Sequence, residues 1–108
     1  MIRGETITTK ITGFPVKVEN IREMYVIFSY SSEYYNSSPT IMLEKSLEDC
    51  TVDTEAQSIS FRLTQAESLQ LQVGNIQRSV IVVTTDGARF ESRPSILKVF
   101  ETKKDEVI

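Results

Sequence analysis

The chain has 108 residues, a formal net charge of −3, no histidine and one cysteine, and 40% of its residues are hydrophobic. That length suits one domain spanning residues 1–108 and is too short for two. The acidic balance argues against nucleic acid as a partner, and no apolar run approaches the ~18 residues of a membrane-spanning helix, so we expect no membrane partner either.

The first half of the chain carries the alternation of apolar and polar residues that is typical of β-strands with one buried face. We predict strands at residues 5–11, 21–30 and 40–44, a short extended piece at 16–18 and a short strand at 50–52. The side chains predicted to share the buried face of the second strand are Met24, Val26, Phe28 and Tyr30.

The second half begins with an alternating strand at residues 58–63 and continues into a short helical turn. Thr64 and Glu67 form a capping-box pattern, in which each side chain accepts a hydrogen bond from the backbone amide of the other residue. Gly74 is predicted to end this turn. A hairpin over residues 76–90, with Asp86-Gly87 as a two-residue turn, and a strand at 96–100 follow.

Six to eight short strands separated by turn signals predict an all-β fold. The predicted architecture is an antiparallel immunoglobulin-like β-sandwich with one short helical turn near residues 64–71. A small barrel and an α+β fold are the alternatives left open. The single cysteine excludes an intrachain disulfide and fits a reducing compartment.

The strand that enters the hairpin is apolar on both faces, whereas a strand with one wet face alternates. Val80 and Val82 point one way, and Ile81 and Val83 point the other. In a chain this small, one face serves the core and the other is suited to contact another subunit. Ile81 and Val83 are therefore the leading candidates for a partner contact, the alternative being that the chain's own loops cover them.

The residue inventory offers little for catalysis or metal binding. Without histidine the chain lacks the commonest general base and metal ligand. Cys50 is predicted to be a partly buried strand residue whose acidic neighbours raise its pKa. The carboxylates of Glu48, Asp49, Asp53 and Glu55 lack the spacing of a calcium loop and are predicted to be solvated. We expect no enzyme, no cofactor and no metal site.

Two further segments offer contact surfaces. Tyr34 and Tyr35 lie in a polar loop, where such rings either stack on a sugar, dock on protein or fold back over the sheet edge. This loop supports an alternative function, a carbohydrate-binding or adhesion module that recognises a host-surface glycan. Val107 and Ile108 follow a charged stretch and either fill a groove or extend a sheet edge on a neighbour, or fold back on their own domain.

Several segments resemble short structural proteins encoded by prophages of Gram-positive bacteria. They are MIRGET at residues 1–6, IRE at 21–23, EDCT at 48–51, LTQAESL at 63–69, TTDG at 84–87 and KDEVI at 104–108. The resemblance implies an immunoglobulin-like module, distantly similar to the N-terminal domain of phage upper baseplate proteins. The chain departs from the family pattern in the Tyr34-Tyr35 loop and at residues 99–102, where a Gly-Arg usually leads into the tail.

The same resemblance implies a non-enzymatic role in a phage tail, baseplate or capsid surface. The implied partners are other virion structural proteins or copies of the chain itself. The implied location is the virion, and the bacterial cytoplasm during assembly.

Overall fold

The structure is a computed structural model, and it describes residues 1–30 and 40–108. Its strands are β1 (Ile7–Ile11), β2 (Ile21–Tyr30), β3 (Thr40–Ser46), β4 (Cys50–Asp53), β5 (Ser58–Leu63), β6 (Gly74–Thr84), β7 (Arg89–Glu91) and β8 (Ser95–Val99). A single α-helical turn, α1 (Gln65–Ser68), precedes β6, and two 3-10 turns lie at Val18–Asn20 and Leu47–Asp49.

The strands form two antiparallel sheets that pack face to face, which confirms the predicted β-sandwich. The three-stranded sheet has the order β1-β5-β4, and the five-stranded sheet has the order β3-β2-β6-β7. Strand β8 also pairs with β6, so that β7 and β8 occupy successive stretches of the same edge. β6 is thus the long central strand of the larger sheet.

The core lies between the two sheets and is built from the alternate residues that point inward. Phe28 on β2 and Phe61 on β5 meet edge to face across the layers, with ring centroids 6.2 Å apart. Such aromatic pairs add about 0.5–1.5 kcal/mol to the stabilisation from burial itself. The other buried apolar residues are Val18, Ile21, Met24, Val26, Ile59, Leu63, Leu71, Ile76, Val82 and Val99.

The predicted helical turn is confirmed, and its start is the predicted capping box. The Glu67 amide donates to Thr64 Oγ1 at 3.2 Å, and the Thr64 amide donates to Glu67 Oε1 at 3.0 Å. The turn ends at Ser68, before the predicted end at Gly74, which instead begins β6. Leu71 lies between the two elements and is buried, so the chain anchors there and goes directly into the strand.

The hairpin prediction was right in place but wrong in turn type. The Thr84 amide donates to the Ala88 carbonyl at 2.9 Å, which leaves a three-residue loop of Thr85, Asp86 and Gly87. Asp86 does not have a positive φ, as a type I′ turn requires, whereas Gly87 does at +88°. The glycine therefore serves as the left-handed residue of a three-residue hairpin loop.

Two local predictions in the second-strand region were also wrong. The segment at residues 16–18 was predicted to be extended, but Val18 begins a 3-10 turn and is buried. Tyr30, predicted to share the buried face with Phe28, is exposed at the end of β2. The alternation breaks before the strand end, because the register of β2 against β3 shifts between Phe28 and Ser29, and Ser29 is the last buried residue of the strand.

Candidate interaction surface

The surface of the five-stranded sheet that points away from the three-stranded sheet, here called the outer face, carries an apolar strip. The register places Tyr25 of β2 directly opposite Ile81 of β6, and Glu23 opposite Val83. Tyr25, Ile81 and Val83 are each half-buried, and the apolar side chain of Ile27 lies one step along β2 on the same face. Cross-strand neighbours of this kind form one continuous surface.

The structure therefore places the two candidates from the apolar run on the outer face. Val82 lies in the core and Val80 packs against it, so the inward direction belongs to the even-numbered residues. Ile81 and Val83 point the other way and stay partly exposed. The described loops therefore do not bury Ile81 and Val83 completely.

Two exposed isoleucines lie at opposite edges of the sheet at one end of the strands, with two polar residues between them. Ile41 on β3 is opposite Ser29 of β2, and Ile96 on β8 is opposite Gln77 of β6. Because Ser29 and Gln77 are themselves paired, the four residues form one row across the sheet. Ile41 is 56% exposed and Ile96 is 65% exposed, and both are large apolar side chains in solvent.

The opposite end of the outer face is charged and contains a hollow of about 280 Å³ beside Tyr25. Glu23, Glu48 and Arg22 contribute its charged lining, and Leu47 contributes an apolar part. Across the sheet, Arg89 on the β7 edge pairs with Glu91 at 3.3 Å, with both side chains largely exposed. The sheet thus carries an acidic hollow at one side and an arginine at the other, in the same row of residues.

The outside of the three-stranded sheet is polar by comparison. Thr8 on β1 pairs with Arg62 on β5, and Lys10 pairs with Ser60, which in turn pairs with Thr51 on β4. Isolated exposed apolar residues are ordinary on a protein surface, but a contiguous apolar patch with a polar border marks an interaction site. Only one of the two sheets carries such a patch among the residues that the structure describes.

The remaining sequence-predicted contact residues lie elsewhere. Tyr34 and Tyr35 lie outside the described residues. Val107 and Ile108 have exposed side chains, 59% and 84% respectively, but the adjoining backbone is held against the same chain. The Ile108 amide donates to Gln65 Oε1 at 2.7 Å, and the Gln65 side-chain amide donates to the Ile108 carbonyl at 3.1 Å. The backbone at Ile108 is thus folded back on its own domain, which is one of the two arrangements considered from the sequence.

Two of the four carboxylates that cluster in the sequence accept hydrogen bonds in local turns. Asp49 accepts from the Ser46 amide at 3.2 Å, and Asp53 accepts from the amides of Glu55 and Ala56 at 3.1 Å. Within residues 1–30 and 40–108, no group of three or more His, Cys, Asp or Glu side chains is placed to hold a metal ion. No helix in the described part is long and apolar enough to cross a membrane.

Cys50 matches the prediction of a half-buried strand residue. Burial raises the pKa of its thiol, and the nearby Asp49 carboxylate raises it further, against a smaller opposite effect of Lys45. The Cys50 sulfur donates to the Ser46 carbonyl at 3.2 Å. A thiol held in this state is a poor nucleophile.

Sequence reasoning missed four residues of the outer face, namely Tyr25, Ile27, Ile41 and Ile96. A signal for two of them was present, because β2 is apolar at both odd and even positions between 24 and 28, as β6 is between 80 and 83. Two such strands in one small domain predict a shared second surface. The edge isoleucines gave no local signal, because only the strand order brings them to the same row.

A comparison with protein-family models finds no family that matches this chain. No curated protein matches it either.

Proposed function

We propose that this chain is a non-enzymatic structural module of a phage virion, a component of the tail, baseplate or capsid surface that binds its neighbours through the outer face. The observation that carries the proposal is the difference between the two sheets. One presents Tyr25, Ile27, Ile81 and Val83 to solvent, whereas the other presents polar side chains. The assignment to a virion rests on the sequence segments that resemble prophage structural proteins.

The energy available from such a face suits repeated assembly. Covering the exposed parts of Ile81 and Val83, which are both half-buried, contributes roughly 0.3–1.7 kcal/mol for each side chain at ~25 cal/mol per Å². A single contact of this size is weak once the lost translational and rotational freedom is included. In a particle the same contact recurs in many copies, and the contributions of linked contacts multiply the apparent affinity.

The proposal is tested by inducing the prophage in the source bacterium and purifying particles on a density gradient. We expect the chain to sediment with the DNA-containing particles at a fixed number of copies per particle, as measured by quantitative mass spectrometry. Ile81→Lys places a charge in the centre of the outer face and is expected to reduce incorporation about tenfold or more, since a desolvated unpaired charge costs several kcal/mol.

The matched control is Thr8→Lys, which introduces the same side chain at an exposed position of the three-stranded sheet. It is expected to leave incorporation unchanged. Both variants should keep the circular dichroism spectrum and the thermal unfolding transition of the parent chain, so that loss of folding is separated from loss of binding. Particles that lack the chain, or equal incorporation of the two variants, would falsify the proposal.

A further inference from the structure

We infer that the outer face binds a second copy of this chain, packed face to face about a twofold axis that runs along the strands between β2 and β6. The inference rests on the proposed function for its choice of surface and adds the identity of the occupant. It is carried by the match between residues that this axis brings together. The match involves apolar character and charge.

A twofold axis along the strands exchanges the two sides of the sheet and leaves each row of residues at its own level. The β2 side of one copy then lies over the β6 side of the other, so Tyr25 faces Ile81 of the second copy. In the row at the apolar end, Ile41 on β3 faces Ile96 on β8 of the second copy. Each of the two exposed isoleucines of the outer face thereby meets an apolar partner, and the symmetry makes both contacts twice.

The same operation brings opposite charges together at the other end. Arg89 pairs with Val83 on β6 and lies at the β7 edge, in the row that contains Glu23 on β2. In the second copy this edge lies over the hollow beside Tyr25, whose lining includes Glu23 and Glu48. Arg22 also lines the hollow, so its charged lining sums to one negative charge. Arg89 arrives there together with its ion-pair partner Glu91, which lies one row further along and faces Ser46 of the second copy.

A twofold axis across the strands is another face-to-face arrangement, and it fits poorly. It exchanges the two ends of the strands, so that Arg89 lies over Ile96 and Glu48 lies over Ile41 of the second copy. Charged groups would then be desolvated against apolar side chains, which is unfavourable without a partner.

The size of the surface is sufficient for a dimer of moderate stability. Four strand positions across the sheet and the 10 residues of β2 correspond to a footprint of roughly 650 Å² per copy at standard strand spacings. The total of roughly 1,300 Å² lies at the lower end of the range for specific interfaces, about 1,200–2,000 Å². We therefore expect a dimer that dissociates on dilution.

The decisive experiment is a charge exchange measured by sedimentation equilibrium on the full chain. The parent protein is expected to approach twice its 12.3 kDa monomer mass as the concentration rises. Arg89→Glu and Glu48→Arg should each weaken the dimer about tenfold or more, because each places like charges in contact. An equimolar mixture of the two variants should recover the dimer, because both arginine–carboxylate contacts form again between unlike copies.

Arg62→Glu is the matched control, since it makes the same charge change at an exposed position of the three-stranded sheet, and it should leave dimerisation unchanged. A second measurement tests the row at the apolar end. In a Cys50→Ser background, Ile41→Cys mixed with Ile96→Cys should be joined by a bismaleimide cross-linker that spans about 10 Å, the distance between packed sheets, whereas Ile41→Cys alone should not.

The outcomes separate the two proposals. A parent protein that stays monomeric up to roughly 1 mM, far above a micromolar dissociation constant, overturns the dimer. So does a mixture of charge variants that fails to recover it. If Ile81→Lys is nevertheless lost from particles, the virion role stands and the occupant of the outer face is another virion protein. If the dimer forms but particles lack the chain, the dimer stands and the virion role is wrong.

Discussion

Lys45 on β3 is a buried charged residue, and its ammonium group reaches the Glu67 carboxylate on α1 at 2.5 Å. The pair attaches the helical turn to the five-stranded sheet, while the same carboxylate caps the turn through the Thr64 amide. Burial disfavours the charged form of Glu67, but the hydrogen bonds from Lys45 and Thr64 outweigh it and lower its pKa from the usual 4.5. The Glu67 side chain thus both caps the helical turn and forms the ion pair with Lys45.

Removing the cation should destabilise the fold. We expect Lys45→Ala to lower the free energy of unfolding by about 1.5–3 kcal/mol, the contribution of a hydrogen bond to a charged group. Urea unfolding at neutral pH measures the change. Lys10→Ala, on the exposed side of β1, is the control and should have little effect. Equal losses in the two variants would show that the ion pair contributes nothing specific.

The same pair predicts how stability depends on pH. A carboxyl whose pKa is lower in the folded state stabilises the protein above its unfolded value of about 4.5, and this contribution is lost as the pH falls through the folded value. Glu67→Gln should therefore be less stable than the parent at neutral pH, and the difference should shrink below pH 4.5. Urea unfolding across pH 3–7 tests this, and a difference that does not change with pH would contradict it.

At the scale of single elements, the β6–β7 hairpin depends on one glycine. Gly87 has a φ of +88°, and a β-carbon added there would meet no atom within 4 Å. The cost of a side chain is therefore conformational and not steric. We expect Gly87→Ala to lower the free energy of unfolding by about 1 kcal/mol. Gly87→Asn should lose less, since asparagine tolerates the left-handed region better, and chemical unfolding of both variants decides the point.

The strands themselves could be predicted from the sequence, whereas several element ends could not. β2 and β5 have their predicted bounds, because a long alternation over 21–30 and 58–63 has only one pleated arrangement that buries the apolar set. The length of the hairpin loop was wrong because Asp-Gly fits both a two-residue loop and the last two positions of a three-residue loop. The loop length depends on the hydrogen bond between Thr84 and Ala88. That hydrogen bond depends in turn on the register of β6 against β7.

On the scale of the whole molecule, Arg3 connects three distant parts of the chain. Its guanidinium donates to the Leu69 carbonyl at 2.8 Å and pairs with Glu101 at 2.6 Å and Asp105 at 3.1 Å. A parallel bridge between Ile2 and Phe100 lies beside it. The segment after β8 is therefore held against α1 by contacts that span almost the full sequence.

Arg3→Ala is expected to release this segment without unfolding the sandwich. Amide hydrogen exchange over residues 101–108 should become several-fold faster, because local opening then proceeds without breaking the two ion pairs. Exchange in β2 and β6 should stay as in the parent. Arg3→Lys should give an intermediate effect, since a lysine cannot hold two carboxylates and a carbonyl with a planar fork. Unchanged exchange in Arg3→Ala would mean that other contacts hold the segment.

The sequence by itself determined the features that depend on near neighbours. The alternation of β2 and β5, the capping box of Thr64 and Glu67, and the two apolar sides of the 80–83 run all follow from residues a few positions apart. Only the tertiary structure decided that Tyr25 meets Ile81 and that Ile41 and Ile96 share a row. Cross-strand register joins residues more than fifty positions apart, and it follows from the packing of both sheets at once.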